Sequence, residues 1–341
     1  MVHLVKFRNI QFLQNSKHFI TSLSIKYVIM KFWTSFFELS VLLYFLVEVI
    51  LLIQKKKYLQ FSTLITGAIF GVVLEFVNVF LTQAYTYSQE FILQVGIFPN
   101  NIPLVIGLAW GILLETSHQI SECFNLPIFI RTLFESVFVV SVDLFLDVVA
   151  IRLDGGFWIW TDEPIVSTIT TTSLLGIGYG NFYGWFCVIF FSSIILHLFD
   201  KIYAKISGNK DQNSKKSSPW KYLLLRITIT VILAEGLLFA FLNILRFAPS
   251  FIWLFFVLQY FGSILILIFY MVKNNNRATS KLPNVYSLAY YMFSYFFCII
   301  TMIVLGLIRE IPVFFALNVV YGIGMIIFLG RLSSLQWKKT T

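Results

Sequence analysis

The residues that could do chemistry cluster in one run, Asp143-Leu-Phe-Leu-Asp147, inside an otherwise apolar segment. Two aspartates four apart share a helix face, with carboxyls about 6 Å apart along the axis. Neither has a basic residue four positions away. In a poorly hydrated place two such carboxylates cannot both ionise cheaply, so one is expected to keep its proton. A carboxylic acid held protonated is a general acid. The plainer reading is a helix end capped by two aspartates in headgroup water. Upstream, Arg131 and Glu135 have the spacing of an ion pair and are read as a structural pair. Glu75 and Asn78, three apart, share a face of an earlier segment. Gln83 to Pro103, QAYTYSQEFILQVGIFPNNIP, carries Tyr85 and Tyr87 and is broken by Gly96, Pro99 and Pro103. Such irregular backbone is tolerated at membrane depth only where protein buries it or it lines a cavity.

The elements that position these residues are apolar helices. The 341-residue chain is 58% hydrophobic and 12% charged, with mean hydropathy +0.84. Stretches of about 20 apolar residues, enough to span a bilayer, are read at about 36–53, 60–82, 102–121, 127–149, 174–198, 221–245, 250–272, 286–308 and 311–330. The fold class is therefore all-α, a polytopic helical membrane protein with about eight or nine transmembrane helices, placed in the cell membrane. No alternating short segments of a β-barrel are visible. Eight acids fall inside those stretches: Glu38, Glu48, Glu75, Glu115, Glu135, Asp143, Asp147 and Glu235. Each costs roughly 2.5–3.5 kcal/mol at a helix centre on insertion scales, which makes an intramembrane acid a functional hypothesis.

Basic residues set the orientation. Lys55–Lys57, the Lys-rich 201–221 region, Lys273, Arg277, Lys281, Arg331, Lys338 and Lys339 fall on one side; the opposite loops carry Arg152, Arg246 and Arg309. Positive loops stay cytoplasmic, which puts Asp147 near the outer face. Residues 1–33 form a basic N-terminal segment that conflicts with this orientation, read as an interfacial helix or as a sign that translation starts at Met30. Residues 34–200 then hold the site-bearing membrane domain, 201–220 a cytoplasmic basic linker, and 221–341 the C-terminal transmembrane helices. Three dispersed cysteines suggest neither disulfides nor zinc. His3, His18, His118 and His197 are far apart in sequence, which argues against a di-iron hydroxylase and for no metal. The net charge of +9 follows membrane orientation and does not point to nucleic acid.

The ordered pieces EFVN, YTY, IFPNNIP with Trp110, RTLFES, DLFLDVVA, GGFWIW and GIGYGNFYGW resemble the carotenoid biosynthesis protein family of membrane hydratases. Asp143-Leu144, Asp147, Trp158-x-Trp160, Gly176-Ile177, Asn181-Phe182 and Gly184-Trp185 match its motifs; Val148 and Gly178 stand where proline is usual, and Leu174 and Leu175 where aromatics are. The resemblance covers roughly residues 70–200. It implies addition of water across a terminal C=C of a carotenoid or related isoprenoid, with the lipid bilayer and an apolar substrate as partners and no cofactor. Such chemistry needs an acid, Asp143 or Asp147, to protonate the alkene to a tertiary cation. It needs aromatic faces for the cation, for which Tyr85, Tyr87, Trp110, Trp158, Trp160 and Trp185 are candidates. It also needs Glu75 or Asn181 to place or deprotonate water. The same tryptophans are equally placed as interfacial belt residues, and Asn181 as a helix cap. Rival readings are a transporter or lipid-binding protein using intramembrane carboxylates, and a prenyltransferase built on the single acidic DxxxD motif.

Overall fold

The computed structural model describes residues 32–153, 156–161, 165–206, 219–245, 247, 249–274 and 285–340. The basic N-terminal segment through Lys31, and residues 207–218 of the expected linker, lie outside the described residues.

The long helices are α1 (Phe32–Gln54), α2 (Tyr58–Phe76), α3 (Leu104–Ser121), α4 (Ile128–Ala150), α5 (Tyr179–Ile206), α6 (Pro219–Leu245), α7 (Ile252–Lys273) and α8 (Val285–Val304). A one-turn α9 (Leu307–Glu310) then precedes the long α10 (Pro312–Thr340). Proline lies at the start of four of these helices, as Pro103, Pro127, Pro219 and Pro312. Its fixed φ suits a first turn and its missing N–H is not needed there. Five of the helices, α1, α2 with its extension, α5, α6 and α7 with its leading turn, are long and apolar enough to cross a membrane; α8 and α10 carry shorter apolar stretches, Leu288–Val304 and Pro312–Phe328. This is a helical multi-pass membrane protein. The larger count of eight or nine spans also needs α3 and α4, each of which carries several buried polar groups.

That polarity explains where α3 and α4 lie. Both are buried along most of their length, and α4 packs against α3, α5, α7 and α8. The lipid-compatible surface is supplied by others: Leu258, Leu265 and Phe269 of α7 and Ile232 and Phe239 of α6 are exposed. Acids too costly to face hydrocarbon are thus wrapped by helices that tolerate it.

The α2–α3 seam is built on small residues four apart, Gly67 and Gly71 against Gly107 and Gly111. A Cβ on Gly67 would lie 2.9 Å from the Gly111 Cα, and one on Gly71 2.6 Å from the Trp110 ring. Small residues at this spacing let two helix backbones approach closely without a hydrophobic drive between them.

The connections at one end of the bundle fold into three short antiparallel pairs, an addition to the all-α expectation. β1 (Tyr85–Tyr87) pairs with β4 (Trp158–Trp160), β2 (Gln94–Val95) with β3 (Ile102–Pro103), and β5 (Ser173–Leu174) with β6 (Ile177–Gly178). The expected irregular segment 83–103 is therefore partly paired, which satisfies those backbone groups internally. Glu38 pins this cap from α1, accepting from the Ile92 and Leu93 amides at 2.6 and 2.7 Å. The β5–β6 turn has Leu175 and Gly176 both at positive φ, +55° and +89°. That is the signature of a type I′ hairpin, in which glycine is the natural second residue. The fifth helix consequently begins at Tyr179, after this hairpin, rather than near residue 174.

Candidate functional site

The site forms where α2, α4 and α5 meet the β1–β4 pair. Strand periodicity makes its aromatic wall. In Tyr85-Thr86-Tyr87 and Trp158-Ile159-Trp160 alternate side chains share a face. The register pairs Tyr85 with Trp160 and Tyr87 with Trp158, so all four rings fall on one side; Ile159 on the other is exposed. Tyr85 and Trp160 meet edge to face, with centroids 4.9 Å apart, and Tyr87 and Trp158 at 6.2 Å.

Beneath this wall lies Glu75, near the end of α2. Both tyrosine hydroxyls donate to its Oε2, Tyr85 at 2.5 Å and Tyr87 at 2.6 Å. Here α2 widens into a π-helical turn, Val77–Thr82, closed by Gln83 at φ +53°. Single π turns are common at functional sites. This one carries Asn78, whose amide donates to the Tyr85 hydroxyl at 3.1 Å.

The two aspartates are fully enclosed, Asp143 at 0% and Asp147 at 1% exposure. They are not caps in headgroup water. The carboxyls lie within interaction reach of each other, and one oxygen of each has no hydrogen-bond partner. Asn181 of α5 bridges them, donating its amide to Asp147 Oδ2 at 2.5 Å and reaching Asp143 Oδ2 at 3.3 Å. Asn181 is therefore a partner of the couple from inside the first turns of α5.

Asp147, Asn181, Glu75, Tyr85, Tyr87, Trp158, Trp160 and Trp185 all line one small cavity of about 30 Å³. Asp143 does not line it; it stands one turn behind Asp147 on α4. A second cavity of about 160 Å³ shares Glu75, Tyr85, Trp160, Asn181 and Trp185 and adds Trp110. Its apolar side is Leu74, Leu238 and Leu242, and Gly180 and Gly184 keep the α5 wall low. No atom lies within 4 Å of the position a Gly184 Cβ would take. Trp185 packs on Trp110 with centroids 4.1 Å apart. The structure therefore brings ten sequence-nominated residues to one place.

One expected pairing is corrected. Arg131 and Glu135 form no ion pair. The Glu135 carboxylate is taken instead by His118 Nδ1 at 3.2 Å and His197 Nε2 at 3.2 and 3.3 Å, with Ser121 donating to it as well. Two imidazoles from neighbouring helices reach the buried carboxylate where the guanidinium does not. The histidines themselves, far apart in sequence, stack at 4.2 Å between centroids.

Glu235, which the sequence offers only as one of eight acids in apolar stretches, carries a buried oxygen without a hydrogen-bond partner and lies near enough to Glu75 to feel its charge. Its isolation on α6 gave no signal of that proximity.

No curated protein and no solved structure matches the chain. The family model described as carotenoid biosynthesis protein matches residues 36–259. That match spans α1 to the middle of α7 and so includes every residue of the site just described. With more than half of its length covered, this chain belongs to the carotenoid biosynthesis protein family.

Proposed function

We propose that the protein hydrates a terminal trisubstituted C=C of an acyclic carotenoid or related isoprenoid by acid catalysis. The observation that carries this reading is the enclosed Asp143–Asp147 couple, bridged by Asn181, with Asp147 facing a cavity walled by aromatic rings.

Asp147 is the proton donor, because it is the member of the couple that lines the cavity. Its carboxylic proton passes to the less substituted alkene carbon. The C=C electron pair forms the new C–H bond and leaves a tertiary cation on the adjacent carbon. The faces of Trp158, Trp160 and Trp185 stabilise that cation through their quadrupoles, a contribution of roughly 2 kcal/mol or more when desolvated. Water then bonds to the cation, and its surplus proton goes to a carboxylate, Glu75 or the couple itself, giving a tertiary alcohol. Atoms balance as alkene plus water, with no change in redox state. Asp143 and Asn181 act through Asp147: the first shares its proton and the second fixes its orientation. Enclosure matters because an acid shielded from bulk water keeps its proton for the alkene.

The reading is tested by producing the protein in cells that accumulate lycopene or a monocyclic carotene and searching extracts for a product heavier by one water. Accumulation of that product, and its loss in Asp147→Asn with protein still in the membrane, is expected. Unchanged carotene with abundant folded protein would overturn the reading.

A further inference from the structure

The second polar centre of the bundle lies at the opposite end of α4. Glu135 and Asp147 are on the same helix, about 18 Å apart at 1.5 Å rise per residue. The couple is near the C-terminal end of α4 and Glu135 in its N-terminal half. His118 comes from the last turn of α3 and His197 from the later part of α5. The cluster therefore belongs to the end of the bundle that carries Lys55–Lys57, away from the hydration site.

We infer that His118, Glu135 and His197 form a binding site for one divalent transition-metal ion, of which zinc is the working probe. Geometry is the first argument. One ligand atom from each residue lies within 4.8 Å of the other two, and the nitrogen-to-carboxylate separations are 3.2–3.3 Å. Ligands held about 2.1 Å from a common ion stand about 3.4 Å apart in a tetrahedron. The two edges from the histidines to the carboxylate already have that length, and the third, between the histidines, lies within 4.8 Å.

Chemistry is the second argument. Two imidazoles and one carboxylate suit zinc or iron(II) and not magnesium or calcium, which take oxygen ligands. Burial is the third. Glu135 is 0%, His197 8% and His118 9% exposed, yet neither ring nitrogen of His118 has a hydrogen-bond partner. Its Nδ1 lies 3.2 Å from Glu135 Oε2 without the alignment of a hydrogen bond. A buried ring nitrogen left without a hydrogen bond is a net loss unless an ion takes it.

A cation has both support and an open face. Ser121 donates to Glu135 Oε1, as groups around a metal ligand commonly do. His118 and His197 line a cavity of about 250 Å³ together with Arg131, Glu115 and Gln119. Three protein ligands and an accessible cavity leave a fourth position for water or an anion. Arg131, left without Glu135, lines the same space and would face such an anion.

The test uses full-length protein purified in detergent, stripped with chelator and dialysed against limiting zinc, with metal measured by mass spectrometry. Uptake of close to one ion per chain is expected, with a tenfold or greater loss of affinity in Glu135→Gln and in His197→Ala. Cobalt substitution should give visible absorption bands that disappear in the same variants. His118→Asn, which keeps a polar side chain of similar size, serves where His197→Ala does not fold. A wild-type protein that takes up no zinc, cobalt or iron(II) would overturn the site, as would equal uptake by wild type and all folded variants. Carotene hydration plays no part in either readout, so the two proposals fail separately.

Discussion

Asn181 Nδ2 lies 2.5 Å from Asp147 Oδ2, joining the beginning of α5 to the end of α4. The same amide reaches Asp143 at 3.3 Å. One neutral donor thus serves two buried carboxyls, an arrangement suited to a couple that holds one proton. From this relationship the role of each acid can be separated by experiment.

Replacing Asp147 with Asn removes the proton donor that faces the cavity while preserving shape. Hydration should fall by about 10² or more, the usual worth of a positioned acid. Asp143→Asn should also lower turnover, by less, because Asp143 lies outside the cavity. Product mass in carotene-accumulating cells, set against membrane protein level by immunoblot, checks both. Equal and complete activity in the two variants would remove the couple from the chemistry.

Glu75 depends on two phenolic donors. Tyr85→Phe and Tyr87→Phe each remove one hydroxyl and keep the ring. Each should cost about 1–3 kcal/mol of stability by leaving a buried acceptor less satisfied. The double variant should depart from additivity, since the two share one carboxylate oxygen. Detergent-solubilised thermal unfolding of the single and double variants measures this directly.

Gly184 borders open space in the larger cavity. Gly184→Leu should fold with near-normal melting temperature, because no atom stands within 4 Å of the new Cβ. The added side chain would occupy room needed by an apolar chain end, so product formation should drop about tenfold or more. Normal turnover in this variant would mean that substrate reaches Asp147 by another route.

The glycine seam between α2 and α3 has the opposite behaviour. Gly111→Leu would place its Cβ 2.5 Å from the Leu64 carbonyl oxygen. Backbone there cannot yield cheaply, so a loss of roughly 1–3 kcal/mol is expected. Hydration should fall with stability, because the seam sets the distance of Glu75 on α2 from Trp110 on α3. A thermal melt beside the product assay separates this from the Gly184 effect.

Much of the site was legible in the chain. Period-two tyrosines and tryptophans, a DxxxD on an apolar segment and an Asn-Phe-x-Gly-Trp run are local patterns, and local geometry fixes which side chains share a face. The short β pairs were not foreseen, since strands of two or three residues leave almost no periodic signal. Arg131 and Glu135 were misread for a related reason. Spacing of four says that two side chains can meet, but not that nearer partners are absent.

Hydrophobic patterning alone determined that this chain is a bundle of membrane-compatible helices with acids among them, because apolar length and the cost of charge in hydrocarbon act locally along the sequence. Only the tertiary structure decided which acids are company for one another. Asn181 meets Asp147 across 34 positions and His197 meets Glu135 across 62. Helix packing, set in part by the α2–α3 glycine seam and the strands that cap one end, chooses those partners, and no spacing rule within one helix can.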